Sequence, residues 1–190
     1  IQHDSFGCPY WSGRAVKGIL VNECADILAA LGGRNAPAAW QSAAGALFGR
    51  PGSSLDSEGC LSISEAHLPD DLRHFLAWQL EKRIESILYD GMTDIEKRSA
   101  EDQQREMFRK QLLQTLTTTR SQTALEEDGS AKEHSLRTNR TVLRDLVFIS
   151  DIQSSRPLEP LEKGLLAACV MAMRAGGSGR NRGKGSIQAR

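Results

Sequence analysis

An α+β fold is the expectation for this 190-residue chain. Segments whose apolar residues recur every three or four positions read as helices, and shorter alternating stretches rich in Thr, Val, Ile and Ser read as strands. Their order carries the rest: helix, strand, helical insert, hairpin, helix, strand. Only an opening strand is lacking for βαββαβ, the split βαβ plan called ferredoxin-like. The chain starts at Ile1 rather than Met, and a strand ahead of Ile1 would complete the plan.

Residues 1–13, IQHDSFGCPYWSG, read as a short extended piece and a turn punctuated by Gly7, Pro9 and Gly13. Ser12 is placed to cap the helix that follows, RAVKGILVNECADILAALGG. Val16, Ile19, Leu20, Cys24, Ile27, Leu28 and Leu31 form its apolar stripe, and Gly32-Gly33 stops it. Arg14 and Lys17 occupy its first turn, where the macrodipole disfavours cations, so an anion held there is one explanation. A short helix is expected around Trp40–Leu47 and a strand over GCLSISEAHL.

From Pro69 the pattern is helical. Asp70 or Asp71 is expected to cap one helix, and Thr93 to begin a second that runs toward Leu116. The segment 117–152 then turns polar and β-rich. It reads as a long hairpin with arms Thr117–Leu125 and Ser135–Ile152 around the turn EEDGS, carrying Arg120, Arg137, Arg140 and Arg144. Pro160 opens the last helix, and GSIQAR begins a strand. The expectation is a single domain over 1–190, with a helical insertion at about 69–112 and a projecting hairpin at about 114–152.

Composition narrows the function. Formal net charge is zero, so whole-molecule attraction to a polyanion is not indicated. Local charge differs: Lys163 to Arg190 holds six Lys or Arg and no acid. Cys8, Cys24, Cys60 and Cys169 lack CxxC spacing, which argues against a zinc knuckle, and they read as reduced, mostly buried thiols. No apolar run approaches the roughly 20 residues of a membrane span.

The cations gather on GGSGRNRGKGSIQAR, Gly176 to Arg190. Glycines allow close backbone approach and successive N–H groups can form an anion nest, while Arg180, Arg182 and Lys184 offer charge to phosphates. The order GKGS is not a Walker ending. A solvated basic loop is the alternative reading.

LLAACVMAMRAGGSGRNRGKGSI resembles the C-terminal signature of the RAMP superfamily, subunits of CRISPR effector complexes: a Leu/Ala-rich helix, a GxGRxRGxG-type loop, then a strand. Gly177, Gly179, Arg180, Arg182, Gly183 and Gly185 match in order. DSFGCPYWSGRAVKGIL resembles the family's opening motif through Asp4, Gly7, Pro9, Tyr10, Gly13, Lys17 and Gly18, with Trp11, Ser12 and Arg14 departing. LFGRPG with EGCLSISEAHL resembles a third motif, Glu65 standing in place of Asp, and RSQTALEEDGSAKEHSLRTNRTV a fourth. The motifs are most similar to the type III-D branch, and the insert near 70–112 is unmatched.

The resemblance implies a ferredoxin-like (RRM-like) core that carries guide RNA, a glycine-rich loop on phosphates, and the hairpin as a thumb. It implies guide RNA, target RNA and other CRISPR effector subunits as partners, in a prokaryotic cytoplasm with no membrane. The RNA-binding residues it implies are Arg14, Lys17, Arg120, Arg137, Arg140, Gly176, Gly177, Gly179, Arg180, Arg182, Gly183 and Lys184. No resident metal or cofactor is expected. If the chain is instead a RAMP endoribonuclease, it would either cut target RNA with the assistance of Mg, with Asp4 as the candidate residue, or process guide precursors with His3 as the candidate general acid or base. The family's catalytic Asp would fall before Ile1. His67, His74 and His134 read as structural or solvated, Asp70-Asp71 as a cap and Glu126-Glu127 as a turn. A protein-binding scaffold of the same fold is a third reading.

Overall fold

A computed structural model of the chain describes residues 2–49, 58–123, 130, 134–177 and 185–190. The chain divides into two compact units, Ile1–Trp11 with Ala66–Ile149, and Ser12–Glu65 with Ser150–Arg190. Among the described residues the strands form three two-stranded antiparallel sheets, one in the second unit and two in the first.

In the second unit, helix α1 (Gly13–Ala30) opens as its sequence requires. The Ser12 side chain accepts from Ala15 N–H, and Gly32 and Gly33 close it at φ 114° and 60°. Helix α2 (Ala38–Phe48) and helix α5 (Pro160–Ala172) pack beside it over strand β3 (Leu61–Ile63), which pairs with β6 (Ile152–Ser154). Leu20, Leu47, Leu165 and Cys169 are fully buried at the centre. Burying each leucine contributes about 1.5–3 kcal/mol, which outweighs any one cap. Cys24 and Cys169 meet in this core. The hydrogen bond between them, followed by burial, holds the Cys169 thiol well above the ordinary thiol range.

Pro160 takes the first-turn position expected of it, and Glu162 reaches back to the Glu159 N–H at 2.9 Å. Glu162 is 5% exposed and is gripped by both terminal nitrogens of Arg156, at 2.8 and 2.6 Å. The Arg156 guanidinium, followed by the backbone N–H, pulls the Glu162 carboxyl down to about 2. An unfolded Glu titrates near about 4.3, so this pair stabilises the fold fully above that pH, and the contribution disappears as pH falls toward 2. Arg156→Gln is therefore expected to be clearly less stable than wild type in urea at pH 7. The gap should shrink through pH 4 and close near pH 2; a gap constant with pH would contradict the assignment.

In the first unit, β1 (Gln2–His3) and β2 (Pro9–Tyr10) form a short hairpin. Trp11 bridges to Ala66, and His67 to Ile149, extending the pairing across four chain segments. Helix α3 (Asp70–Ile87) packs on α4 (Asp94–Leu116) through Leu80, Ile84, Phe108 and Leu112, with the Arg83 guanidinium 5.1 Å from the Phe108 ring centre. Thr93 caps α4 in a reciprocal box with Glu96. Cys8 lies in the same core, its thiol raised to about 11 by burial and by the neighbouring Asp4. The hairpin is β4 (Thr117–Gln122) paired with β5 (Arg137–Val142).

Three sequence expectations are corrected. Pro69 is the N-cap of α3, and Asp70 and Asp71 sit in its first turn, where they favour the positive end of the helix. The strand expected over residues 59–68 is regular only from Leu61 to Ile63, because Ala66 and His67 pair with Trp11 and Ile149 instead. The second hairpin arm ends at Val142, and Ile152 pairs with Ile63 across 89 positions of sequence. Local pattern cannot show a partner that distant. The expected turn at Glu126–Gly129 lies outside the described residues. Among the described residues, no helix is long and apolar enough to cross a membrane.

Candidate nucleic-acid interface

The glycine-rich stretch is built from the end of α5. Ala175 bridges to Ser186, Gly176 N–H donates to the Gly185 carbonyl at 2.8 Å, and Ile187 N–H donates to the Arg174 carbonyl at 2.9 Å. This antiparallel stub brackets residues 178–184 in the sequence. Gly185 is required to be glycine: it has φ +72°, and a Cβ there would lie 1.9 Å from the oxygen of buried Gly176. Gly177 also has positive φ, +88°, and is exposed. Gly179, Arg180, Arg182, Gly183 and Lys184 lie outside the described residues.

At the start of α1, Arg14 is exposed, whereas Lys17 is half-buried and its Nζ donates to the Leu61 carbonyl at 3.2 Å. The cation disfavoured by the helix dipole is thus held by a strand carbonyl, which answers the anion expectation for Lys17 with a contact inside the protein. Leu61 O faces away from β6, because the Ser62–Gln153 pair lies between the outward-facing pairs. Lys17→Met is expected to lower stability by about 1.5–3 kcal/mol, the range for hydrogen bonds to charged groups. Chemical denaturation reads that loss, and an unchanged midpoint would refute it.

In the first unit, the hairpin register separates the three arginines expected to act together. Arg120 opposes Asn139 and Arg137 opposes Gln122, so both guanidiniums share one face with Thr118 and Thr141. Arg140 opposes Thr119 on the other face and turns back, donating to Thr117 Oγ1 at 2.9 Å. Thr117 Oγ1 in turn donates to the Leu113 carbonyl. Arg140 therefore ties the hairpin root to α4. Arg120 and Arg137 are exposed and make no ion pair among the described residues.

The catalytic candidates sit in the same unit as the hairpin. Asp4 Oδ1 accepts from the N–H groups of Phe6 and Cys8 at 3.0 and 2.9 Å, and its Oδ2 lies 4.0 Å from Arg73 Nε. It shapes the β1–β2 turn. His3 Nδ1 lies 3.5 Å from an Arg109 terminal nitrogen. Among the described residues no cluster of three or more His, Cys, Asp or Glu could hold a metal. His74 and His134 are exposed, while His67 stacks on Tyr10 with ring centres 5.2 Å apart and an interplanar angle of 25°. Sequence reading passed over that pair. Its only signal was the alternation in PYW and in AHL.

No protein-family model matches the sequence, and no curated protein matches it. The fold does have solved counterparts. A chain of the cryo-EM structure of the Type III-B Cmr-beta bound to cognate target RNA superposes with a TM-score of 0.63 at 11% identity, over 100% of this chain and 87% of that one. A chain of the Type III-B Cmr-beta apo state gives a TM-score of 0.59 at 11% identity with the same coverage. The protein is thus an α+β chain sharing the fold of a Type III-B Cmr-beta subunit.

Proposed function

We propose that this chain is an RNA-binding RAMP subunit of a type III CRISPR effector complex. The observation that carries the reading is the Arg174–Gly177/Gly185–Ile187 stub, a glycine-dependent ladder that brackets Arg180, Arg182 and Lys184 directly after a helix. That is where the RAMP signature places its phosphate-gripping loop, and the fold counterparts from a Cmr-beta assembly with target RNA support the same class. In this reading the core corresponds to the ferredoxin-like plan, guide RNA lies along the loop, and the β4–β5 hairpin is the thumb, presenting its Arg120–Arg137 face to nucleic acid. The sequence motifs lean to the III-D branch and the solved counterparts are III-B; both are type III. Recognition is of phosphate and shape, which suits a guide of variable sequence.

The test is single-stranded RNA binding across a salt series, with magnesium present and the RNA examined afterwards. Affinity that falls steeply with salt supports the reading. Absence of binding at low salt overturns it for this chain, and cuts abolished by chelation would assign an endoribonuclease instead.

A further inference from the structure

Helix α3 turns an apolar stripe inward and still carries two large rings on its outer side. Leu72, Leu76, Leu80 and Ile84 belong to the core shared with α4, whereas Phe75 and Trp78 are 53% and 49% exposed and take no part in it. The helical repeat puts Phe75 and Trp78 on the side away from Leu80 and Ile84. Their ring centres lie 5.9 Å apart at an interplanar angle of 35°, so they form one continuous apolar surface. Asp71 stands one turn before Phe75, and Glu81 one turn after Trp78.

The cations of α3 are all engaged. Lys82 is held by Glu85 at 2.6 Å and Arg73 by Asp70 at 3.4 Å. Arg83 lies over the Phe108 ring and donates to Gln111 Oε1 at 2.7 Å. Asp71 and Glu81 are left over. Both are exposed and neither makes an ion pair among the described residues; Asp71 Oδ1 accepts from the Leu72 N–H at 2.8 Å. His74 is exposed on the same side. Two half-exposed rings, whose faces are themselves negative, thus lie between two uncompensated carboxylates.

We propose that the Phe75–Trp78 face is a docking site for an arginine-bearing segment of a partner protein. Arginine is the side chain that meets both features at once: its guanidinium stacks on an aromatic face and pairs with a carboxylate. Charge complementarity decides against the other occupants. A purely apolar surface closing over the rings would take water from Asp71 and Glu81 and leave both unpaired, a cost that offsets the gain from the rings. A nucleic-acid strand would bring phosphates against the same carboxylates. Asp71 and Glu81 are separated by about 15 Å along the helix axis. A segment that satisfies both therefore carries two cations at that separation, with an apolar stretch between them over the rings. The inference does not depend on the RNA-binding reading.

The experiment uses the full chain and a fluorescein-labelled helical peptide with leucines along one face and an arginine at each end of that face, about 15 Å apart. A second peptide has glutamine in place of both arginines. Wild type is expected to bind the arginine peptide about tenfold or more tightly than the glutamine peptide. Trp78→Ala is expected to weaken the arginine peptide by about tenfold or more, as loss of an aromatic anchor does. Asp71→Asn combined with Glu81→Gln is expected to erase the difference between the peptides. All three side chains are exposed, so the variants are expected to keep the fold, which circular dichroism checks. Equal binding of the two peptides by wild type, no binding of the arginine peptide at about 1 mM, or binding that Trp78→Ala leaves unchanged overturns the proposal. An affinity for single-stranded RNA that falls in Trp78→Ala would assign the face to nucleic acid instead, and self-association that Trp78→Ala abolishes would assign it to a second copy of the chain.

Discussion

Replacing Arg180, Arg182 and Lys184 together with alanine is expected to weaken single-stranded RNA binding about a hundredfold at roughly 0.1 M salt, and to flatten the log–log salt slope by about 2. The magnitude follows from counterion release, since each phosphate neutralised on a single strand contributes about 0.7 to the slope and three cations are removed. The fold should survive. The stub that brackets these residues is held by backbone bonds between Gly176 and Gly185 and between Arg174 and Ile187, none of which uses the three side chains. Thermal melting of the variant within a degree or two of wild type would confirm that the loss is one of binding. An unchanged slope would mean that these cations do not touch phosphate.

Gly13→Ala is expected to destabilise the second unit by about 3 kcal/mol or more, the upper end of overpacking costs. A Cβ at Gly13 would lie 2.0 Å from the Ile63 carbonyl oxygen and 3.0 Å from that of Ser64. Both obstacles are backbone, so no side-chain rotation relieves the clash. Either α1 lifts from β3 or β3 leaves β6. Lifting α1 also breaks the Lys17–Leu61 hydrogen bond and opens the contact of Leu20 with the core that contains Leu61. Gly18, on the same helix, is the control. It is exposed with nothing within 4 Å, and Gly18→Ala is expected to stabilise by about 0.5–1 kcal/mol through helix propensity alone. Denaturant midpoints of the two variants should move in opposite directions; a shared direction would refute the close-approach argument.

Features written in local sequence were legible. Ser12 and Thr93 cap their helices, Gly32-Gly33 ends α1, Pro160 opens α5, and the apolar stripe of α1 is the one that buries Leu20 and Cys24. What was not legible is non-local. The pairing of Ile152 with Ile63, the Trp11–Ala66 bridge that cuts short the strand after Leu61, and the Lys17–Leu61 contact each join residues 44 or more positions apart. Periodicity carries no information about which distant strand a segment will join.

The candidate site divides in the same way. Glycine spacing pointed to close backbone approach and positive φ, which are properties of glycine itself, but not to the pairing of Ala175 with Ser186 that stands in place of the strand expected over GSIQAR. It could not foretell that Arg140 turns away from Arg120 and Arg137, since that depends on cross-strand register. Nor could it show that Tyr10 and His67 meet, because the hydrogen-bonding phase of the Trp11–Ala66 bridge decides it.

The central claim is that RNA lies on the loop bracketed by Gly176 and Gly185 and on the Arg120–Arg137 face of the hairpin. Photo-crosslinking of 4-thiouridine RNA to the intact chain, with the adducts located by mass spectrometry, tests it most directly. The account predicts adducts between residues 174 and 190 and on β4 or β5, lost at high salt. Adducts confined to α3 and α4, or none under conditions where RNA is bound, would contradict it.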